Sequence, residues 1–154
     1  MKEVTVYTDG ACSGNPGKGG YGAILIYGEY RKEISCGYKL TTNNRMELLA
    51  CIRALELLKQ PCKVTLYSDS RYVVDSVTKG WVYSWKKKNW MKKDGPAKNP
   101  DLWEMFLKLN AIHDIKFVWV KGHNENPGNE RCDFLARKAA SSDELSDDEG
   151  YLAD

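Results

Sequence analysis

At 154 residues the chain has room for one domain with a well-buried core and needs no second. No apolar run approaches the length of a signal or membrane segment, and the five cysteines (Cys12, Cys36, Cys51, Cys62, Cys132) show neither a CxxC pair nor zinc spacing. A membrane protein, a disulfide scaffold and a zinc module are thereby excluded, and a soluble, cytoplasmic protein with reduced thiols is expected.

The formal net charge of +2 hides a division. Residues 141–154 hold six acids and no Lys or Arg, so residues 1–140 set 23 basic against 15 acidic side chains, a net of +8. A basic body calls for a polyanionic partner.

The chain opens on Val4-Thr5-Val6-Tyr7-Thr8-Asp9-Gly10-Ala11, whose β-branched and aromatic alternation predicts a strand ending at Asp9 and running into the Gly- and Asn-containing loop Cys12 to Gly20. Tyr21 to Tyr27 predicts a second strand, joined to the first as a hairpin, and Arg31 to Leu40 a third, which together make a meander. Asp-Gly is a common turn pair, so Asp9 alone reads as a turn residue. Its company is what raises it: Glu47, Asp69 and Asp133 also stand where strand or helix ends could point them inward.

Arg45 to Lys59 is apolar round most of its surface and predicts the central helix, packed on the sheet. Glu47 falls in its first turn, where it could complete a capping box with Asn44 or turn toward Asp9. Lys63 to Tyr67 predicts a strand, and Ser68-Asp69-Ser70 leads from it into a short helix, Arg71 to Thr78. Asp69 could cap that helix or serve at a strand carboxyl end, where functional groups of open α/β sheets collect.

Gly80 to Asn99 interleaves Trp81, Tyr83, Trp85 and Trp90 with Lys86-Lys87-Lys88 and Lys92-Lys93. Trp81 and Trp85, four apart, share a helix face, and the lysines project elsewhere. Aromatics mixed with lysines at this density suit contact with nucleic acid through phosphate and sugar, so the segment is expected to protrude as a substrate handle.

Asp101 to Ile112 predicts an amphipathic helix capped by Asn99 or Asp101, and Ile115 to Val120 the last strand. The loop from Lys121 to Gly128 carries His123 in a polar setting and leads to a final helix, Asn129 to Ala140. Asp133 lies on or beside the packing face of that helix, a costly place for an acid unless it is paired or metal-bound. Residues 141–154 are expected to form an acidic, disordered tail behind a 1–140 catalytic domain.

Five segments in order then carry a resemblance: Asp9-Gly10-Ala11 with Asn15-Pro16-Gly17, Thr42-Asn43-Asn44-Arg45-Met46-Glu47-Leu48, Ser68-Asp69-Ser70, Trp119-Val120-Lys121-Gly122-His123, and Asn129-Glu130-Arg131-Cys132-Asp133. Together, from Val4 to Ala140, they closely resemble the type 1 ribonuclease H family in its bacterial form. The resemblance implies an α/β fold with a five-stranded mixed sheet, three antiparallel strands then two parallel ones, flanked by helices. It implies metal-binding carboxylates at Asp9, Glu47, Asp69 and Asp133, a loop histidine at His123 that assists proton transfer or product release, and a basic protrusion carrying Trp81, Trp85, Lys86, Lys87, Lys88 and Trp90.

The implied reaction is hydrolysis of the RNA strand of RNA·DNA hybrids to 5′-phosphate and 3′-hydroxyl ends, with little sequence preference. Clustered carboxylates repel one another until divalent cations relieve them, and oxygen-only ligands favour two Mg²⁺ ions, with Mn²⁺ as a substitute. Reading the RNA 2′-hydroxyl takes groups that both donate and accept, and the resemblance points to Asn15, Asn43, Asn44 and the backbone near Cys12 and Ser70, with Thr42 on a DNA phosphate. No obligate protein partner is implied, and a monomer is expected. A DNA-cutting enzyme of the same fold, or a non-catalytic nucleic-acid module, accounts less well for the acids, the Asn43-Asn44 pair and the protrusion together.

Overall fold

Val4 and Val6 are buried on one side of the first strand while Tyr7 packs on the other, and this two-sided burial places that strand in the middle of the sheet. A computed structural model describes residues 1–121 and 126–152. Its main strands are β1 (Lys2–Ser13), β2 (Gly17–Tyr27), β3 (Tyr30–Thr41), β4 (Cys62–Ser68) and, in the small two-stranded ribbon, β5 (Met91–Lys92) with β6 (Gly95–Pro96). β7 (Asp114–Trp119) and β8 (Leu145–Ser146) complete the main sheet, whose order is β7-β4-β1-β2-β3-β8. β1, β2 and β3 form the antiparallel meander, while β4 and β7 run parallel to β1.

The helices are α1 (Asn43–Glu56), α2 (Arg71–Thr78), α3 (Trp81–Lys87), α4 (Pro100–Ile112) and α5 (Pro127–Ala140). α1 is buried on nearly every side, as its composition predicts. Met46, Leu48, Ile52 and Leu55 join Val4, Val6, Val64 and Leu66 in the core, which α4 extends through Trp103 and Phe106. α5 covers the other face and comes close because β2 is bare there. A Cβ at Gly20 or Gly22 would lie 2.5 Å from the carbonyl oxygen of Ala136 or Cys132.

Several boundaries differ from the sequence expectation. β1 does not stop at Asp9 but continues to Ser13, since Asp9 through Ser13 keep antiparallel partners in β2. α1 starts at Asn43 and is capped by Thr42, whose hydroxyl accepts from Arg45 N at 3.3 Å, so Asn44 and Glu47 form no capping box. Ser70, not Asp69, caps α2, accepting from Val73 N at 3.2 Å. Neither Asn99 nor Asp101 caps α4 through its side chain, because both side chains face Arg45 instead.

Arg45 also accounts for a sixth strand beside the five expected, drawn from the acidic C-terminal segment. Its guanidinium, 2% exposed, holds Asp101 through two bonds of 2.9 and 2.7 Å and Asp148 through two of 2.7 and 3.0 Å. Thr41 donates its hydroxyl to Asp148 at 2.7 Å. With Asp148 so held, Leu145 and Ser146 pair parallel to Gly37 and Tyr38 as a sixth strand. Both carboxylates hold Arg45 more firmly protonated than usual against the burial that opposes it. Breaking a buried pair strands the remaining charge, at about 3 kcal/mol or more. Asp148→Ala is therefore expected to lower unfolding stability by about 3 kcal/mol in urea titration, whereas Asp143→Ala and Glu149→Ala, both exposed, change it by less than about 0.5 kcal/mol.

Candidate active site

The parallel pairing of β1 with β4 ends at Tyr7 and Tyr67, whose rings stack with centroids 5.0 Å apart. Asp9 and Asp69 each follow two residues later, so the chain carries the two acids to the same end of that pairing. α1 brings the third. Gly10 makes this possible, since a Cβ there would lie 2.5 Å from Glu47 N and 2.7 Å from the Met46 carbonyl carbon. The first turn of the helix thus rests on bare strand backbone, and Gly10 N–H donates to both Glu47 Oε1 and Asp9 Oδ1.

Carboxylate oxygens of Asp9, Glu47 and Asp69 all lie within 4.8 Å of one another. Asp9 is 2% and Glu47 4% exposed, and no N–H or hydroxyl of the described residues reaches Glu47 Oε2. Burial, then the charge and hydrogen bonding of Asp9 and the charge of Asp69, push the Glu47 carboxyl well above the ordinary range, with only the Gly10 N–H opposing. An all-oxygen, half-open cluster of like charge fits a hard divalent cation, which would supply positive charge among the acids. The three acids line a cavity of about 430 Å³ together with Asn43, Asn44 and Ser70.

Asp133 stands apart from this triad of oxygens. It lies on α5, half-buried, paired with Arg137 one turn on at 2.9 Å. Four residues earlier on the same helix, Asn129 donates to the Thr8 carbonyl at 3.2 Å, which ties this face of α5 to β1 beside Asp9. His123 lies outside the described residues.

The hairpin end of β1 and β2 meets the start of α1. Asn15 Oδ1 accepts from Asn43 N at 3.0 Å, and the Cys12 thiol faces the Thr41 carbonyl at 3.4 Å. Burial raises the Cys12 thiol above its usual range, so it remains neutral. These groups, with Thr42, Asn43 and Asn44, form a polar rim continuous with the acid cavity.

The aromatic and basic segment divides by depth. Trp81 is 43% exposed, whereas Trp85 turns inward onto Trp103, edge to face, with centroids 6.4 Å apart. The two tryptophans therefore do not present one common face to solvent. Trp90 is half-buried and donates to Glu104 at 3.0 Å; Lys86 pairs with the same carboxylate at 2.8 Å. Lys87 and Lys88 are exposed and have no ion pair among the described residues. Gly10, as the donor to Glu47, and Arg45, as the anchor of α1, were not singled out from the sequence. The signal for Arg45 was its place two residues before Glu47.

The RNase H family model matches residues 1–141. Ribonuclease H of Syntrophus aciditrophicus is 58% identical over 152 residues, covering 98% of this chain and 88% of the relative. Ribonuclease H of Desulforamulus reducens is 58% identical over 146 residues, covering 94% and 92%. Among solved structures, LC9-RNase H1, described as a type 1 RNase H with the type 2 active-site motif, superposes with a TM-score of 0.81 at 32% identity, covering 91% of this chain and 72% of that one. LC11-RNase H1, solved in complex with an RNA/DNA hybrid, superposes with a TM-score of 0.60 at 28% identity, covering 89% and 96%. With three carboxylates gathered where β1 leaves its parallel pairing with β4, and relatives this similar along nearly its whole length, the chain belongs to the RNase H family.

Proposed function

We propose that the protein is a metal-dependent endoribonuclease that hydrolyses the RNA strand of RNA·DNA hybrids, with the three-carboxylate cluster as its centre. The observation that carries this reading is the convergence of Asp9, Glu47 and Asp69 within 4.8 Å. Family membership supplies the substrate class, and LC11-RNase H1 was captured on such a hybrid.

Asp9, Glu47 and Asp69 are the residues to hold Mg²⁺, with Mn²⁺ as a substitute, and Asp133 joins them by leaving Arg137. Two such ions, when bound, supply an activated water and charge stabilisation of the leaving oxygen, which gives 5′-phosphate and 3′-hydroxyl ends. Around them the chain does the positioning. Gly10 N–H fixes Glu47, and His123 is assigned the proton or product-release role. Asn15, Asn43, Asn44, Cys12 and Ser70 face the sugar edge of the RNA, where groups that donate and accept can read the 2′-hydroxyl, and Thr42 takes a DNA phosphate. Trp81, Trp85, Lys86, Lys87, Lys88 and Trp90 form the handle that holds the hybrid outside the cavity, without base-edge readout.

Three outcomes test this. A labelled hybrid incubated with Mg²⁺ loses only its RNA strand; chelation stops the reaction, and Asp9→Asn slows it by about 1,000-fold or more, about 4 kcal/mol of barrier. Duplex DNA cut in place of the hybrid would contradict the assignment.

The raised Glu47 carboxyl makes metal binding pH-dependent. Glu47 is protonated in the metal-free fold above the ordinary glutamate range, and Mg²⁺ must displace that proton. Affinity therefore rises with pH from the ordinary range up to the raised Glu47 value, with proton release visible by calorimetry in buffers of different ionisation enthalpy. In the metal-free protein the sign is opposite: stability falls as pH rises through the same window, and Glu47→Gln abolishes that fall.

The handle gives a third check. Lys87→Ala and Lys88→Ala each flatten the dependence of log Kd on log salt by about one unit, whereas Lys86→Ala, whose charge is partly met by Glu104, flattens it less.

A further inference from the structure

The acid cavity carries a cation on its rim. Arg71 opens α2 two residues after Asp69 and lines the cavity beside the acids, yet it is exposed. Its guanidinium carbon lies 3.9 Å from the centroid of the Trp119 ring. The same indole donates through Nε1 to the Asp69 carbonyl at 3.3 Å. One side chain at the end of β7 thus braces both the turn that carries an acid and the cation beside it.

A guanidinium lying over an aromatic face is fixed in its plane while its N–H groups remain at its edges, ready for two parallel bonds to one anion. No hydrogen bond or ion pair among the described residues engages the Arg71 guanidinium, although carboxylates share its cavity. Any phosphate that reaches those acids must pass like charge. A planar cation fixed at the entrance lowers that cost and orients the strand.

We propose that Arg71 is a substrate-binding residue, taking the non-bridging oxygens of a phosphate in the strand that enters the acid cavity, and that Trp119 is the positioning residue that holds it. This rests on the hybrid-cleaving reading and names a contact within that same site. Of the two residues, Arg71 supplies charge and geometry, and Trp119 acts only through it and through the Asp69 turn.

The test measures binding and cleavage separately. Binding of a labelled RNA·DNA hybrid is followed across a salt series in Asp9→Asn protein, alone and combined with Arg71→Gln, Arg71→Lys, Trp119→Phe or Trp119→Leu, with thermal melts to confirm folding. Arg71→Gln is expected to weaken binding about tenfold and flatten the salt slope by about one unit. Arg71→Lys keeps the slope but not the full affinity, because a point charge replaces the planar fork. Trp119→Phe, which keeps a ring, stays closer to the parent than Trp119→Leu.

Unchanged affinity and slope in Arg71→Gln would overturn the proposal, as would weaker binding with an unchanged slope, since the partner would then not be a phosphate. Tighter Mg²⁺ binding by calorimetry with unaltered hybrid affinity would make Arg71 a counter-charge to the acids and overturn it equally. Should the unmodified protein fail to cut the hybrid in either Mg²⁺ or Mn²⁺, the cleavage reading falls; the salt-slope comparison still decides the contact.

Discussion

The close seat of α1 on the bare backbone of Gly10 is the constraint from which the site follows. Any side chain at that position would push the helix from the strand by more than the gap allows, and Glu47 would lose both its depth and the N–H it accepts from. Arg45, one turn from the same helix end, is the second fixing point. It reaches Asp101 at the start of α4 and Asp148 near the end of the chain. The network continues: Arg45 donates to Asn99, Asn99 to the Tyr72 hydroxyl, and Trp103 to that same hydroxyl. Tyr72 lines the acid cavity. The helix that delivers an acid is thus clamped by charge on one side and seated on backbone on the other.

The electrostatic plan has two scales. Close in, the fold gathers three carboxylates, and burial beside Asp9 and Asp69 pushes the Glu47 carboxyl well above the ordinary range. Farther out, the body is basic, with exposed Lys87 and Lys88 at the end of α3. A polyanion is therefore attracted by the surface and repelled by the clustered acids. On the proposed reading, binding and chemistry are separable properties of one chain, governed by salt in the first case and by divalent cation in the second.

Much of this was legible in the sequence, for physical reasons that can be named. The alternation in Val4 to Thr8 and the apolar run of α1 specified the central strand and central helix, because burial on a sheet imposes those periods. Asp9, Glu47 and Asp69 stood out because Asp-Gly, the start of an apolar helical run and Ser-Asp-Ser each read as the edge of an element, although β1 in fact runs past Asp9. What stayed hidden depended on distant partners. Nothing local in Leu145-Ser146 announces a strand; pairing with Gly37 and Tyr38 creates it. Arg45 is a charged residue in an otherwise apolar run, and its burial rests on two carboxylates 56 and 103 positions away. Trp81 and Trp85 share a helical spacing, but Trp103, from another helix, draws one of them inward. The Asp133 to Arg137 pair is the exception: its four-residue spacing was visible and went unread.

The short strand β8 bears on how copies of this molecule behave beside one another. A sheet edge with unmet N–H and C=O groups is a template for further pairing, and β3, at twelve residues, would be a long one. β8 covers the edge at Gly37 and Tyr38, the most deeply buried stretch of that strand, where few charged side chains could stand guard. Over Arg31 to Glu33 the strand carries charge instead, held in place by the pairs of Glu33 with Arg31 and Arg131. At the opposite margin β7 presents Asp114 and Lys116 to solvent. Two residues of an acidic segment thereby close the gap that charge leaves, and protect the sheet against edge-to-edge aggregation.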